Sequence, residues 1–338
     1  MSQSDSSPAL VPVQPSALAI RGSSSLAKRG LGDLDFLESA QPQLEKANNI
    51  PDVLAAEEAQ QWLQKGRDFY DLADLNDWNP EKAIECFKHG LQVMPSNTEL
   101  RVYLGIIYSD GDGVPQDYAQ AFEHFSVAAE LGDSAAQRSL GEMYEGGYGV
   151  PQDIEKAVSW YQKAAEQRDS HAQCRLGFAY DLGRGVQRDY GQAVSWWRMA
   201  AEQADVEAQF NLGAAYYQGH GVPLDFAQAA VWFRKAAEQG YVEAQNTLGK
   251  MCRVGKGIPQ DEVQAVLWWR KAAEQGDIGA QCSLGIAYLT GSGVPQDFAQ
   301  ATFWYAKAVE GGEGGNEDAK AALERLQNYI ANFPPQSA

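Results

Sequence analysis

Between residues 97 and 312 one pattern of apolar and polar positions returns every 36 residues. Its most regular mark is a leucine-glycine pair, at Leu104-Gly105, Leu140-Gly141, Leu176-Gly177, Leu212-Gly213, Leu248-Gly249 and Leu284-Gly285. In the copy at 133–168, Ala136, Leu140, Gly141 and Tyr144 fall at helical spacing, which predicts a helix A over Ser134–Gly146. Gly147 follows, where a left-handed helix end needs no β-carbon. Val150-Pro151 makes a turn, Asp153 caps a helix B, and Ala157, Trp160, Tyr161, Ala164 and Ala165 form its buried stripe. A fixed period of this kind marks a stack of one two-helix unit, which offers an extended surface rather than one pocket.

Further columns strengthen the helical assignment. Glycine recurs at 111, 147, 183, 219, 255 and 291, and the helix B cap is Asp117, Asp153, Asp189, Asp225, Asp261 and Asp297. Five of those aspartates precede a Gln by three residues, the spacing of a reciprocal capping box. The tryptophans Trp160, Trp196, Trp232, Trp268 and Trp304 are expected to wedge between neighbouring units.

The ends of the chain read differently. Residues 1–50, rich in Ser, Pro and Gln, are expected to form a disordered arm. Within it, Arg21-Gly22, Arg29-Gly30 and the leucines 26, 31, 34 and 37 mark a short island that suits either a linker or a docking motif. Residues 51–96 predict a first helix over Glu57–Tyr70 and a second that starts at Asn79-Pro80, with Pro at its first position. Beyond the repeats, 313–338 predict a capping helix over Glu317–Asn332 with Ala319, Ala322, Leu323, Leu326 and Ile330 on one side.

These residues carry a resemblance. Leu212-Gly213, Tyr216, Gly219, Gly221-Val222-Pro223, Asp225, Ala229, Trp232 and Ala236-Ala237-Glu238 resemble the unit of the Sel1-like repeat family, a branch of the tetratricopeptide-type α-solenoids. The segment 51–96 resembles a tetratricopeptide repeat more loosely. The resemblance implies an all-α fold: a right-handed α-solenoid of antiparallel helix pairs, with helix A lining the concave side. It also implies an adaptor that holds other proteins together. Some cysteine-rich relatives carry a disulfide in each unit and are linked to β-lactam binding or hydrolysis. This chain departs from them, since no unit holds a cysteine pair.

Charge and composition narrow the function. The 45 acidic and 27 basic residues give a net charge of -18, which disfavours nucleic acid and anionic membrane and suits a basic protein partner. Cys86, Cys174, Cys252 and Cys282 lack CxxC spacing and read as reduced thiols. Without an apolar run of spanning length or a secretory leader pattern, the expected location is the cytoplasm.

Nothing in the sequence assembles a catalytic or metal site. His89, His124, His171 and His220 occupy four phases of the repeat, and the capping aspartates should sit roughly 10 Å apart, one helix spacing each. No cofactor is implied. What varies while the core columns stay fixed are three helix A positions, at two before, two after and five after each leucine. Phe178, Phe210 and Tyr217 there suggest an exposed aromatic patch, flanked by Asp181, Asn246, Arg253 and Ile286. A column that accepts Arg, Glu and Lys in some units is expected to face solvent. The expected function is a non-enzymatic scaffold that binds a protein or peptide along this face. The alternatives are the β-lactam chemistry of the cysteine-rich relatives, and a regulatory or immunity partner of one protein.

Overall fold

The computed structural model describes residues 50–70, 78–311 and 317–332. The arm at 1–49 with its Arg-Gly island, the loop at 71–77 and the glycine-rich stretch at 312–316 lie outside the described residues. Among the described residues every regular element is a helix. The chain falls into two compact parts, 1–188 and 189–338, each taken by itself below.

The first part holds α1 (Ile50–Tyr70), α2 (Pro80–Val93), α3 (Thr98–Asp110), α4 (Tyr118–Glu130), α5 (Ser134–Gly146), α6 (Ile154–Glu166) and α7 (Ser170–Leu182). Each helix packs on the next in the chain. α1 begins seven residues before the expected Glu57, at Ile50. Asn79 caps α2 by accepting from the Lys82 amide, and Pro80 fills the first position as predicted.

The second part holds α8 (Tyr190–Glu202), α9 (Val206–Gln218), α10 (Phe226–Glu238), α11 (Val242–Val254), α12 (Glu262–Glu274), α13 (Ile278–Thr290), α14 (Phe298–Glu310) and α15 (Glu317–Asn332). Again each helix packs on its successor, α15 closing on α14. Ala319 and Leu326 of α15 are buried, and Leu326 joins Ala301 and Tyr305 in one apolar cluster. Helices A are thus α3, α5, α7, α9, α11 and α13, and helices B are the even-numbered α4 to α14.

Close approach explains the leucine-glycine pair. The leucine is buried, and the glycine backbone lies under the aromatic ring of helix B. A β-carbon on Gly141 would stand 2.6 Å from the Tyr161 ring, and one on Gly213 would stand 2.8 Å from the Phe233 ring. No side chain fits there. The helix-ending glycines behave as predicted, with φ between 68° and 77° from Gly111 to Gly291.

Two expectations are corrected by packing. The capping aspartates do accept from the first-turn amides, as Asp153 does from Lys156 at 3.0 Å. Their own backbone N–H, however, is already donated to helix A: Asp153 to the Tyr144 carbonyl and Asp225 to the Tyr216 carbonyl, both at 2.9 Å. The Gln side chain therefore has no cap N–H to accept from, and no reciprocal box forms there. In the copy at 117, Gln120 instead donates to the Asp117 carboxylate at 2.8 Å.

The second correction concerns the tryptophan column, which is only half-buried at Trp160, Trp196, Trp232, Trp268 and Trp304. Its outer face is covered by the lysine one turn on: Lys163, Lys235 and Lys271 lie 3.6, 3.9 and 4.3 Å from the Trp160, Trp232 and Trp268 ring centres. The buried wedge is the next residue, at Phe125, Tyr161, Trp197, Phe233, Trp269 and Tyr305.

A column of buried glutamines ties successive units together. Gln137, Gln173, Gln209, Gln245 and Gln281 each donate to the carbonyl eight residues earlier, at the end of the preceding helix B. Gln137, Gln209 and Gln245 also accept from Gln167, Gln239 and Gln275 of the following loop. All five side-chain N–H donors are thus satisfied inside the stack, as a buried polar group requires, while the Gln281 Oε1 has no partner among the described residues.

Candidate partner-binding surface on helices A

The three variable helix A columns point to different places. Two residues before the leucine, the side chain turns toward the next unit and meets the N-cap of the following helix A. Arg138 of α5 reaches Asp169 at 3.3 Å and also Glu142 at 3.2 Å. Burial works against the Arg138 charge, but those two carboxylates outweigh it and hold the guanidinium above its ordinary pKa. In the second part, Asn246 of α11 donates to Asp277 at 2.8 Å. Burial raises the Asp277 pKa, while the hydrogen bond from the Ala280 amide pulls the other way.

Five residues after the leucine, the side chain lies over the buried aromatic of its own helix B. Glu145 accepts the Tyr161 hydroxyl proton at 2.7 Å, and Arg253 lies 5.6 Å from the Trp269 ring centre. Tyr217 meets Phe233 at 6.3 Å and Phe226 at 5.2 Å, and its hydroxyl accepts from Lys256 at 3.1 Å. Lys256, a turn residue that sequence reasoning passed over, stands 4.4 Å from the Tyr217 ring centre.

The expected patch is therefore corrected. Phe178 and Phe210 are each only 4% exposed, and Asp181 and Asn246 are buried as well. Phe210 packs on Phe233 and Tyr241 with ring centres 5.4 and 5.0 Å apart. The argument that a charge-tolerant column must face water fails at Arg138 and Glu145, whose charged groups meet Asp169 and the buried Tyr161, while Lys250 and Arg253 do reach the surface. Of the seven expected residues, Arg253 and Ile286 are exposed and Tyr217 is half-buried. Lys250, two after its leucine, is exposed beside Arg253 on α11, and Leu289 of α13 is half-buried.

Other chemistry is spread thinly. Tyr161, Glu145, Arg175 and Phe178 line a cleft of about 20 Å³, room for one water-sized molecule. His89 and His220 are exposed and stack on Trp62 and Tyr190. Burial lowers the pKa of His124, which stacks on Tyr108. None of the four cysteines is joined in a disulfide among the described residues, and burial raises the pKa of Cys86, Cys252 and Cys282. No described helix is long and apolar enough to cross a membrane.

Paired helices, a glycine-aromatic contact at Gly105, Gly141, Gly213, Gly249 and Gly285, and a bonded glutamine between pairs define an all-α helix-pair repeat protein. The Sel1 repeat pattern matches residues 101–133, 134–169, 170–205, 206–241, 242–277 and 278–313. The chain belongs to the Sel1 repeat family. Among solved structures it is similar to c5321, a protective antigen present in uropathogenic Escherichia coli strains that displays an SLR fold. That likeness has 34% identity and a TM-score of 0.74, over 83% of this chain and 60% of the antigen. A Sel1 repeat protein from Oxalobacter formigenes is 30% identical with a TM-score of 0.61, over 77% of this chain and 97% of the other. No curated protein matches the sequence.

Proposed function

We propose that this chain is a non-enzymatic scaffold whose helices A bind a protein or peptide. The supporting observation is the division of labour within each unit. Leucine, glycine, the buried aromatic and the glutamine repeat almost unchanged, while Lys250, Arg253 and Ile286 change from unit to unit and stay at the surface of the second part. A surface that varies over a fixed frame can acquire specificity without loss of fold.

Affinity on this face comes from Ile286, Leu289 and the edge of Tyr217, and register comes from Lys250 and Arg253. Although the whole chain is acidic, these exposed cations suit a partner segment that carries carboxylates beside apolar residues. Absence of a cysteine pair in any unit separates this chain from the disulfide-bonded relatives with β-lactam chemistry.

The test is affinity capture with the full chain and a Lys250→Glu, Arg253→Glu, Ile286→Ala variant, with helicity followed by circular dichroism. A specific partner should be retained by the parent and lost by the equally helical variant. Equal retention by both would move the binding surface away from helices A.

A further inference from the structure

A second surface stands on helices B. In the second part, α10 exposes Ala227, Val231 and Lys235 at successive turns, α12 exposes Val263, Leu267 and Lys271, and α14 exposes Ala299, Phe303 and Lys307. These spacings of four put each trio on one side of its helix. Val231, Leu267 and Phe303 share one phase of the repeat and are 48, 47 and 48% exposed. They form a middle row, with small apolar residues on one flank and three lysines on the other.

The fold does not require this row. The same phase is Glu123 in α4, Ser159 in α6 and Ser195 in α8, all exposed. Three consecutive helices thus carry an apolar residue where three others carry a polar one. The row is backed by Trp232, Trp268 and Trp304, and the Phe303 ring meets Trp304 at 5.0 Å. Lys235 and Lys271 stack on Trp232 and Trp268, which holds their ammonium groups beside the apolar row. Lys307 lies 3.9 Å from Glu310, an exposed contact that a competing carboxylate can replace. Exposed apolar residues that recur at one phase of successive helices B mark an interaction site more often than scattered ones do.

The same chain contains a segment with the complementary pattern. Residues 31–38 read Leu-Gly-Asp-Leu-Asp-Phe-Leu-Glu: four apolar residues, three carboxylates and no basic residue. Leu31, Leu34 and Leu37 recur at spacings of three, so a helical segment would align them on one side with Asp33, Asp35 and Glu38 around them.

We infer that the helix B face formed by Val231, Leu267 and Phe303, with Lys235, Lys271 and Lys307, is the docking site of the chain's own segment Leu31–Glu38. The three leucines cover the apolar row, and the three carboxylates meet the lysines. The segment's charge matches this row better than it matches the acidic remainder of the chain. The contact stands whether or not helices A take a partner, because it uses the other helix of each unit.

A photo-reactive leucine analogue at Leu34 of the full-length chain tests this. Cross-links, mapped by mass spectrometry, should land on α10, α12 or α14, within one chain or between two copies. A Val231→Ser, Leu267→Ser, Phe303→Ser variant places in the row the residue that α6 and α8 carry there. It should keep its melting temperature and lose cross-linking at least fivefold. Lys235→Glu, Lys271→Glu, Lys307→Glu should lose it similarly, and adding Asp33→Lys, Asp35→Lys, Glu38→Lys should restore it. Cross-links on helices A or elsewhere, unchanged cross-linking in the serine variant, or failure of the charge exchange to restore it would each overturn the assignment.

Discussion

The ring of Phe210 lies on the ring of Tyr241, 5.0 Å between centres, in the place where Arg138 meets Asp169 and Asn246 meets Asp277. All three pairs are 31 residues apart and join one helix A to the N-cap of the next. The cap column is aspartate at 133, 169, 205 and 277, and its one break, Tyr241, is the residue that faces an aromatic ring. Tyr241 accepts no first-turn amide, so the stacked ring takes the place of a capping bond at the start of α11.

This coupling predicts a non-additive exchange. Phe210→Arg alone should cost about 2–4 kcal/mol, because it removes a buried ring and buries a charge opposite tyrosine. Tyr241→Asp alone should change stability little: it gains a cap worth roughly 0.5–2 kcal/mol and loses an aromatic contact worth about 0.5–1.5 kcal/mol. The double variant recreates the Arg138–Asp169 pair and should recover at least about 1 kcal/mol relative to the sum. Denaturant titration of the four proteins measures the coupling; strict additivity would show that the two positions do not act as a pair.

Tyr161 and Glu145 give a second test. Burial, first, and the Glu145 carboxylate, second, push the Tyr161 pKa well above that of a free tyrosine. In the folded state the phenol stays neutral, whereas in the unfolded state it ionises above about pH 10. Below that pH the group contributes its full stabilisation, and as pH rises further the unfolded state loses a proton that the folded state keeps, so stability falls. Tyr161→Phe should cost about 1–3 kcal/mol at neutral pH, since the buried edge of Glu145 loses its donor. It should also flatten the decline above pH 10. Melting curves between pH 7 and 11 check both, and an unchanged alkaline slope would remove Tyr161 from that role.

The helix positions were legible from sequence because periodic leucine, a helix-ending glycine and a capping aspartate each report local backbone geometry. Ser134–Gly146 is an instance: its predicted and observed bounds coincide. The surface was much less legible. Whether Arg138 or Phe178 faces water depends on partners 30 or more residues away, and no local rule reveals that Asp169 waits for the guanidinium. One signal was present and unused: the unbroken glutamines at 137, 173, 209, 245 and 281 mark a buried polar bond between units. Another was Tyr241, the one break in the aspartate column 133, 169, 205 and 277, which falls 31 residues after Phe210.

The helix B aromatics separate by one residue into two roles, and truncation should tell them apart. Phe233 is fully buried under Gly213, so Phe233→Ala should cost about 3–5 kcal/mol. Trp232 is half-buried under Lys235, so Trp232→Ala should cost less, about 1–2 kcal/mol for the area and the exposed cation contact. Because each unit leans only on its neighbours, Phe233→Ala should also broaden the unfolding transition. Calorimetry that ranked Trp232 above Phe233 would return the wedge to the tryptophan column.

His124 occupies the column that holds tryptophan in the other five units, and it puts a titratable ring there. Its Nδ1 is buried with no hydrogen-bond partner, and its ring stacks on Tyr108 at 6.0 Å. Burial is the main cause that lowers its pKa, helped by the Arg101 and Lys88 charges and opposed by Glu123. A histidine held neutral in the folded state contributes stability above its unfolded pKa of about 6.5. As pH falls below that value the unfolded state binds a proton that the folded state resists, so stability is lost through the window below pH 6.5. His124→Phe removes both the titratable ring and its buried unpaired nitrogen and should add about 1 kcal/mol near neutral pH. The same variant should hold its melting temperature better than the parent between pH 6.5 and 5. If the two proteins lose stability in parallel across that window, the acid sensitivity lies with other groups and His124 is an ordinary aromatic of the stack.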